Sequence, residues 1–143
     1  MGYILVIEDD QQIAELLDTT LQQEHQLEFA FSGTEALYKI AEHTYDLILL
    51  DIMLPGMKGE DVLINIRAKL ETPVIILTAL HDSVKIVELL NKGANDYITK
   101  PFHLEELTAR IHVQLRNNIT TLESTAQTLQ YKNLTFFELS FLF

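Results

Sequence analysis

The sequence has no cysteine, few basic residues and no long apolar segment. Without cysteine the chain cannot form a disulfide, a thiolate metal site or a cysteine nucleophile, which suits a reducing compartment. Ten basic and 21 acidic residues give a formal charge of −11, which disfavours contact with a nucleic-acid backbone. The N-terminal apolar stretch lacks a basic flank and is too short for a signal peptide or a membrane span. We therefore expect a cytoplasmic chain that contacts no membrane and does not bind DNA directly.

Short apolar runs alternate with amphipathic segments along the 143 residues, a length typical of one domain. Residues 3–7, 47–50 and 74–77 are runs of Ile, Leu and Val, typical of strands covered on both faces. Residues 27–31 alternate in polarity, which predicts an edge strand, and residues 96–99 predict a short fifth strand. Apolar residues at helical spacing follow each strand. The pattern predicts an α/β fold, a (βα)5 flavodoxin-like doubly wound parallel sheet with strand order 2-1-3-4-5.

Polar residues stand where four of these predicted strands end. Glu8 and Asp9 follow the first run, Asp51 the third, Thr78 the fourth and Lys100 the fifth. Taken singly, an acid or threonine after a strand is most often a cap or turn residue. Because parallel strands end at one edge of the sheet, where such folds bind ligands, their coincidence predicts a shared site.

The chemistry of this predicted site calls for a cation. Two carboxylates about 4 Å apart repel by roughly 4 kcal/mol at an effective dielectric constant near 20, so three need a counter-charge. An oxygen-only ligand set suits Mg²⁺, with Mn²⁺ as an alternative. A metal ion beside the Lys100 ammonium makes a site for a phosphoryl group.

Four segments resemble the receiver (CheY-like) domain of bacterial two-component response regulators. They are residues 8–10 (EDD), 50–59 (LDIMLPGMKG), 77–79 (LTA) and 93–102 (GANDYITKPF). The resemblance spans residues 3 to about 117 and is strongest to the OmpR/PhoB branch. It implies that Asp51 accepts a phosphoryl group from a sensor histidine kinase. Such a domain is not an enzyme with an external substrate, because it catalyses only its own phosphorylation and dephosphorylation.

The resemblance also implies a metal-ligand set. Asp9 is expected to bind Mg²⁺ directly, Glu8 mainly through water, and Met53 through its backbone carbonyl oxygen, together with Asp51. In this interpretation Lys100 neutralises the phosphoryl charge, and the Lys100–Pro101 peptide bond is cis.

A switch is implied by the same resemblance. Thr78 is expected to hydrogen-bond the phosphoryl group, small Ala79 to leave room for it, and Tyr97 to turn inward with Thr78. This change would reshape the face made by the fourth helix, fifth strand and fifth helix.

OmpR/PhoB-type receivers form homodimers through this face with complementary charges. Three residues match that charge pattern: Asp96, Glu106 and Arg110. Three depart from it: Ile86, Lys92 and Asn95. We expect Ile86 and Leu89 to supply apolar contact instead, giving a weaker dimer driven more by packing.

Two apolar side chains near the predicted site affect the expected rate of phosphoryl hydrolysis. Met53 and Leu80, two residues after Asp51 and Thr78, cannot orient a water molecule for attack on the phosphoryl group, so hydrolysis should be slow.

The five histidines lack metal-ligand spacing, so no zinc site is predicted.

The predicted receiver domain covers residues 1–117. Residues 118–143 are interpreted as a linker followed by a truncated or aberrant start of a winged-helix effector domain. DNA would be reached only through that missing domain.

Two other function classes match the sequence less well. A phosphohydrolase of the aspartyl-phosphate type typically needs a second acid two residues after the nucleophile, where this chain has Met53. A degenerate receiver that switches by protein contact alone would lack an acid, the threonine or the lysine, and this chain lacks none of them.

Overall fold

Strands and helices alternate strictly along the computed structural model, which describes the backbone of residues 2–123 and the side chains of residues 2–117. The strands are Tyr3–Ile7 (β1), Gln26–Ala30 (β2), Leu47–Asp51 (β3), Val74–Thr78 (β4) and Asp96–Thr99 (β5). The helices are Gln11–Leu21 (α1), Gly33–Glu42 (α2), Gly59–Lys69 (α3), Ser83–Asn91 (α4) and Leu104–Glu123 (α5). All strand pairings are parallel, in the order β2-β1-β3-β4-β5. The predicted flavodoxin-like fold is confirmed.

The burial of each strand follows its sequence pattern. Every residue of β3 and β4 is buried, as expected for central strands built from Ile, Leu and Val. Strand β2 lies at an edge and buries only Ala30 fully, so the predicted edge strand is confirmed, one residue earlier than expected.

Apolar side chains form a core on each face of the sheet. Successive residues of a strand point to opposite faces, so Leu5 joins the cluster covered by α2, α3 and α4 while Ile4 joins the cluster covered by α1 and α5. Both faces are therefore covered, and the polar residues at the strand ends lie at the edge between the two helical layers.

Gly59 allows α3 to begin directly against the end of β3. A Cβ atom at this position would lie 2.5 Å from the backbone Cα atom of Ile52, so no larger residue fits without a backbone shift. The first residue of α3 therefore lies against the backbone of Asp51, the last residue of β3, and Lys58 is the N-cap residue of α3.

Helix α5 continues to Glu123, past the predicted domain boundary after residue 117. The backbone of residues 118–123 is therefore helical. The predicted start of an effector domain, within residues 124–143, lies outside the described residues. None of the helices in residues 2–123 combines the length and apolarity needed to cross a bilayer.

Candidate functional site

Strand register brings the three predicted acids together. Ile7 of β1 pairs with Leu50 of β3, so Glu8 and Asp51 emerge side by side. Glu8, Asp9 and Asp51 each offer a carboxylate oxygen, and these oxygens lie within 4.8 Å of one another. Glu8 and Asp51 are buried whereas Asp9 is exposed, so the cluster is open on one side.

Lys100 reaches this cluster from the end of β5. Its backbone N–H donates to the carbonyl oxygen of Thr78 at 2.7 Å, which continues the pairing of β4 with β5. Its ammonium nitrogen lies 2.9 Å from Oε1 of Glu8 and 3.3 Å from Oδ2 of Asp51. The Lys100–Pro101 peptide bond is cis, as predicted. One ammonium therefore serves two buried carboxylates.

The electrostatics of the site favour an additional cation. Burial, reinforced by the neighbouring Asp51, raises the pKa of Glu8 to about 7, although Lys100 opposes the rise. Burial works against the Lys100 ammonium, but its hydrogen bond to Glu8 and the nearby acidic charges still raise its pKa. The acids thus carry more negative charge than one lysine offsets.

The carboxylates fit a hard divalent cation. One oxygen of Glu8 accepts the Asp10 N–H at 3.1 Å, and one oxygen of Asp51 accepts the Met53 N–H at 3.0 Å, so backbone amides orient both groups. The donor set holds only oxygen, which suits Mg²⁺. Asp10 has a different role, because its side chain caps α1.

The three predicted switch residues lie on or next to β4 and β5. Thr78 ends β4, Ala79 follows it, and Tyr97 is within β5. Thr78 is fully buried, and its hydroxyl oxygen accepts the Leu80 N–H at 2.9 Å. Ala79, the residue after Thr78, is exposed. Tyr97 is half-buried and packs on the core cluster beneath α4. Thr78 therefore lies at the edge of the sheet where Asp51 ends β3, and Tyr97 is the second residue of β5.

The charges predicted for a dimer interface pair within one chain. Arg110 donates to both carboxylate oxygens of Asp96 at 3.0 Å and contacts Glu106 at 3.1 Å. Asp96 lies on β5 and Glu106 on α5, so both acids belong to the face made by α4, β5 and α5.

Two departures from the expected charge pattern have intramolecular partners. Lys92 contacts Glu60 at 3.3 Å. The side-chain oxygen of Asn95 accepts hydrogen bonds from the Val74 N–H at 2.9 Å and from Arg67 at 3.0 Å. These residues stabilise the domain itself.

Ile86 and Leu89, the residues expected to supply apolar dimer contact, are largely buried within the domain. Ile86 is 8% exposed and Leu89 is 2% exposed, because this side of α4 packs onto the sheet. The outward side of α4 instead exposes Val84, Val87 and Leu90.

A cleft of about 510 Å³ opens beside Asp9. Its apolar lining comes from Ile52, Met53, Leu54, Pro55 and Leu80. Its charged lining comes from Asp9, Lys58, Glu60 and Lys85. We call this space the Lys58 cleft. Lys58, Glu60 and Lys85 were not identified as site residues from the sequence. One signal was present in the sequence: Lys58 stands just before α3, where a helix-capping residue such as Ser or Asp is usual.

His25 and His112 approach each other and Glu24, which their sequence spacing does not indicate. Nδ1 of the buried His25 accepts the Gly2 N–H at 3.1 Å, so the neutral ring carries its proton on Nε2. Neither ring nitrogen of His25 then offers a free lone pair to a metal ion. The contact gives no support for a zinc site.

Comparison with known proteins decides the family. The response regulator receiver domain matches residues 4–112. The chain belongs to this family. It is 45% identical over 135 residues to the transcriptional regulatory protein YkoG of Bacillus subtilis, and 44% identical over 117 residues to the response regulator ArlR of Staphylococcus aureus. The resemblance to OmpR/PhoB-type receivers is thereby confirmed.

Coverage of these proteins is unequal. The matches include 93% and 81% of this chain but only 59% of YkoG and 53% of ArlR. The receiver domain of the Francisella response regulator 1452 superposes with a TM-score of 0.78 at 36% identity, covering 82% of this chain and 98% of that one. The chain is thus a receiver domain of a two-component response regulator, a signalling domain.

Proposed function

We propose that Asp51 accepts a phosphoryl group from a phosphohistidine of a sensor histidine kinase. The observation that carries this proposal is the position of Lys100, whose ammonium contacts both Glu8 and Asp51 in a cluster of three acids. A buried carboxylate held by one backbone amide and one ammonium is oriented for attack. Membership in the receiver family supports the same role.

In the proposed reaction a carboxylate oxygen of Asp51 forms a bond to phosphorus. The phosphorus–nitrogen bond of the donor breaks, and its electron pair returns to the histidine ring. Lys100 stabilises the negative charge on the transferring group. Glu8, Asp9, Asp51 and the carbonyl oxygen of Met53 would hold Mg²⁺, which supplies further charge neutralisation.

The proposed response to phosphorylation begins at Thr78. Its hydroxyl exchanges its contact with the Leu80 N–H for a hydrogen bond to the phosphoryl group, while exposed Ala79 leaves space. Half-buried Tyr97 then turns inward, which shifts α4 against β5 and α5. We propose that this face forms the homodimer, with Asp96, Glu106 and Arg110 exchanging their intramolecular ion pairs for intermolecular ones. Transcriptional control through DNA would require an effector domain.

The test is covalent modification in the presence of Mg²⁺ and acetyl phosphate. Intact-mass measurement should show one added phosphoryl group on the wild-type chain and none on Asp51→Asn. Asp18→Asn, which alters an exposed acid on α1, is the matched control and should be modified normally. A wild type without the adduct, or an Asp51→Asn variant that retains it, would contradict the proposal.

A further inference from the structure

We infer that Lys58 is a specificity-determining residue that draws anionic phosphodonors into the Lys58 cleft. The inference rests on the proposed phosphorylation of Asp51 and adds a residue outside the cluster of acids and Lys100. Lys58 lines the same cleft as Asp9 and Met53, both of which belong to the proposed metal site. A donor in this cleft therefore lies beside both Lys58 and two residues of the proposed metal site.

Lys58 carries the uncompensated positive charge of the cleft lining. The other lysine of the lining, Lys85, contacts Glu60 at 2.9 Å and Glu88 at 3.6 Å. Glu60 also contacts Lys92 at 3.3 Å, so these two acids and two lysines balance. Lys58 is exposed and forms no ion pair within residues 2–117. Its charge is available to a ligand.

The position of Lys58 is unfavourable for helix stability. It is the N-cap residue of α3, yet its side chain accepts no hydrogen bond from the first turn. Ser, Thr, Asp and Asn are preferred there because their side-chain oxygens cap the helix. A cation also lies unfavourably near the positive end of the helix dipole. Such a local conflict is expected where a residue serves function rather than folding.

A positive charge in this cleft acts on the donor before the chemical step. Acetyl phosphate is a dianion at neutral pH, and the acids of the site and the net charge of −11 repel it. In the reaction Asp51 bonds to phosphorus and the phosphorus–oxygen bond to acetate breaks, so acetate leaves with the electron pair. Lys58 raises the local concentration of the dianion without contacting the reacting atoms.

The experiment compares second-order rate constants for adduct formation by the full chain with Mg²⁺. With acetyl phosphate at low ionic strength, Lys58→Gln should lower this constant by about two- to fivefold, and the charge reversal Lys58→Asp should lower it further. Phosphoramidate, which carries about one negative charge less, should show a smaller effect. Added salt should bring wild type and variants together because the interaction is screened.

Lys69→Gln is the matched control. Lys69 is also exposed and ends the same 11-residue helix. That length places it roughly 16 Å from the start of α3, so its Coulomb interaction with a donor in the cleft is much weaker than that of Lys58. The Lys69 variant should therefore react at the wild-type rate.

A stability measurement separates steering from misfolding. Lys58→Ser can cap α3, so it should melt at a higher temperature than wild type while it reacts more slowly with acetyl phosphate. Equal rates for wild type and Lys58→Gln at low salt, or an equal loss at Lys69→Gln, would overturn the inference. If the inference about Lys58 fails in this way but every variant is still fully modified on Asp51 at saturating donor, the proposed phosphorylation of Asp51 stands. If the wild type forms no adduct at all, both the inference and the proposed function are refuted.

Discussion

The ammonium nitrogen of Lys100 lies 2.9 Å from Oε1 of Glu8, although 92 positions separate the two residues in sequence. The same nitrogen lies 3.3 Å from Asp51, so Glu8 and the proposed phosphoacceptor compete for one cation. A divalent ion would relieve this competition, and a phosphoryl group on Asp51 would intensify it. The charge balance around Lys100 therefore links metal binding to phosphorylation.

Removing the Lys100 charge should slow phosphorylation. Lys100→Met leaves two buried carboxylates without their ammonium and removes a group that stabilises the transferring phosphoryl charge, so we expect at least about tenfold slower adduct formation. The rate is followed by intact-mass measurement with acetyl phosphate and Mg²⁺. Lys69→Met serves as the control, and a Lys100→Met rate equal to wild type would contradict the assigned role.

Stability without divalent cations should fall as pH rises. The pKa of Glu8 in the folded state is about 7, above its ordinary value of 4.5. Its contribution is fully present below about pH 4.5 and is lost as pH rises through 7, because the unfolded chain ionises first. The loss amounts to about 3 kcal/mol, and binding of Mg²⁺ to the ionised group should offset it.

Chemical unfolding between pH 4.5 and 8 measures this dependence. Glu8→Gln cannot ionise, so the free energy of unfolding of this variant should vary less with pH than that of wild type, and Mg²⁺ should stabilise it less. Parallel pH curves for wild type and Glu8→Gln would show that Glu8 is ionised throughout.

Substitution of Arg67 should destabilise the fold. Its guanidinium donates to the carbonyl oxygens of Gly93, Leu70 and Thr72 and to the side chain of Asn95, which joins α3 to the segments flanking β4. Lysine lacks the planar fork needed to reach several of these acceptors. We expect Arg67→Lys to lower the free energy of unfolding by about 2 kcal/mol.

Arg116→Lys is the corresponding control, because Arg116 is exposed on α5. Denaturant titration should show little change for it. Similar losses at both positions would indicate that the network around Arg67 contributes no more than a surface charge.

The apolar side of α4 should contribute to the activated dimer. Val87 is 52% exposed there, whereas the neighbouring Leu89 is buried. Val87→Asp should raise the dimer dissociation constant of the beryllofluoride-treated protein by about tenfold, since it places a charge in the proposed interface. Sedimentation equilibrium measures this constant, and Ile64→Asp provides an exposed apolar control on α3. A dimer insensitive to Val87→Asp would place the interface elsewhere.

The phosphorylated state should be long-lived. Met53 and Leu80 line the Lys58 cleft with apolar groups, so neither orients a water molecule toward phosphorus. Met53→Asn should shorten the lifetime because its amide can hold such a water. Phosphate release after removal of the donor gives the rate, and complete loss from wild type within seconds would refute the prediction.

Much of the fold could be predicted from sequence because its signals are local and periodic. The runs that became β3 and β4 contain Ile, Leu and Val without interruption, and both strands are buried throughout. Parallel strands end at one edge, so Asp51, Thr78 and Lys100 could be placed together before any distance was known.

The orientation of each helix was harder to predict, because it depends on how neighbouring elements pack. Ile86 and Leu89 were expected at the surface but face the sheet, and exposed Val87 takes the outward position. A rotation of α4 about its own axis is enough to exchange the buried and exposed positions. The apolar pattern of a nine-residue helix constrains that rotation only weakly.

The sequence alone determined the sheet order, the edge strand and the convergence of acids, threonine and lysine, because strand periodicity and chain direction dictate them. Tertiary structure decided the partners of side chains distant in sequence: Arg110 with Asp96, Lys92 with Glu60, and Arg67 with Asn95. Among the residues whose side chains are described, it also left Lys58 without an ion pair beside the proposed site. These outcomes depend on the relative placement of packed helices, and no local pattern in the sequence records that placement.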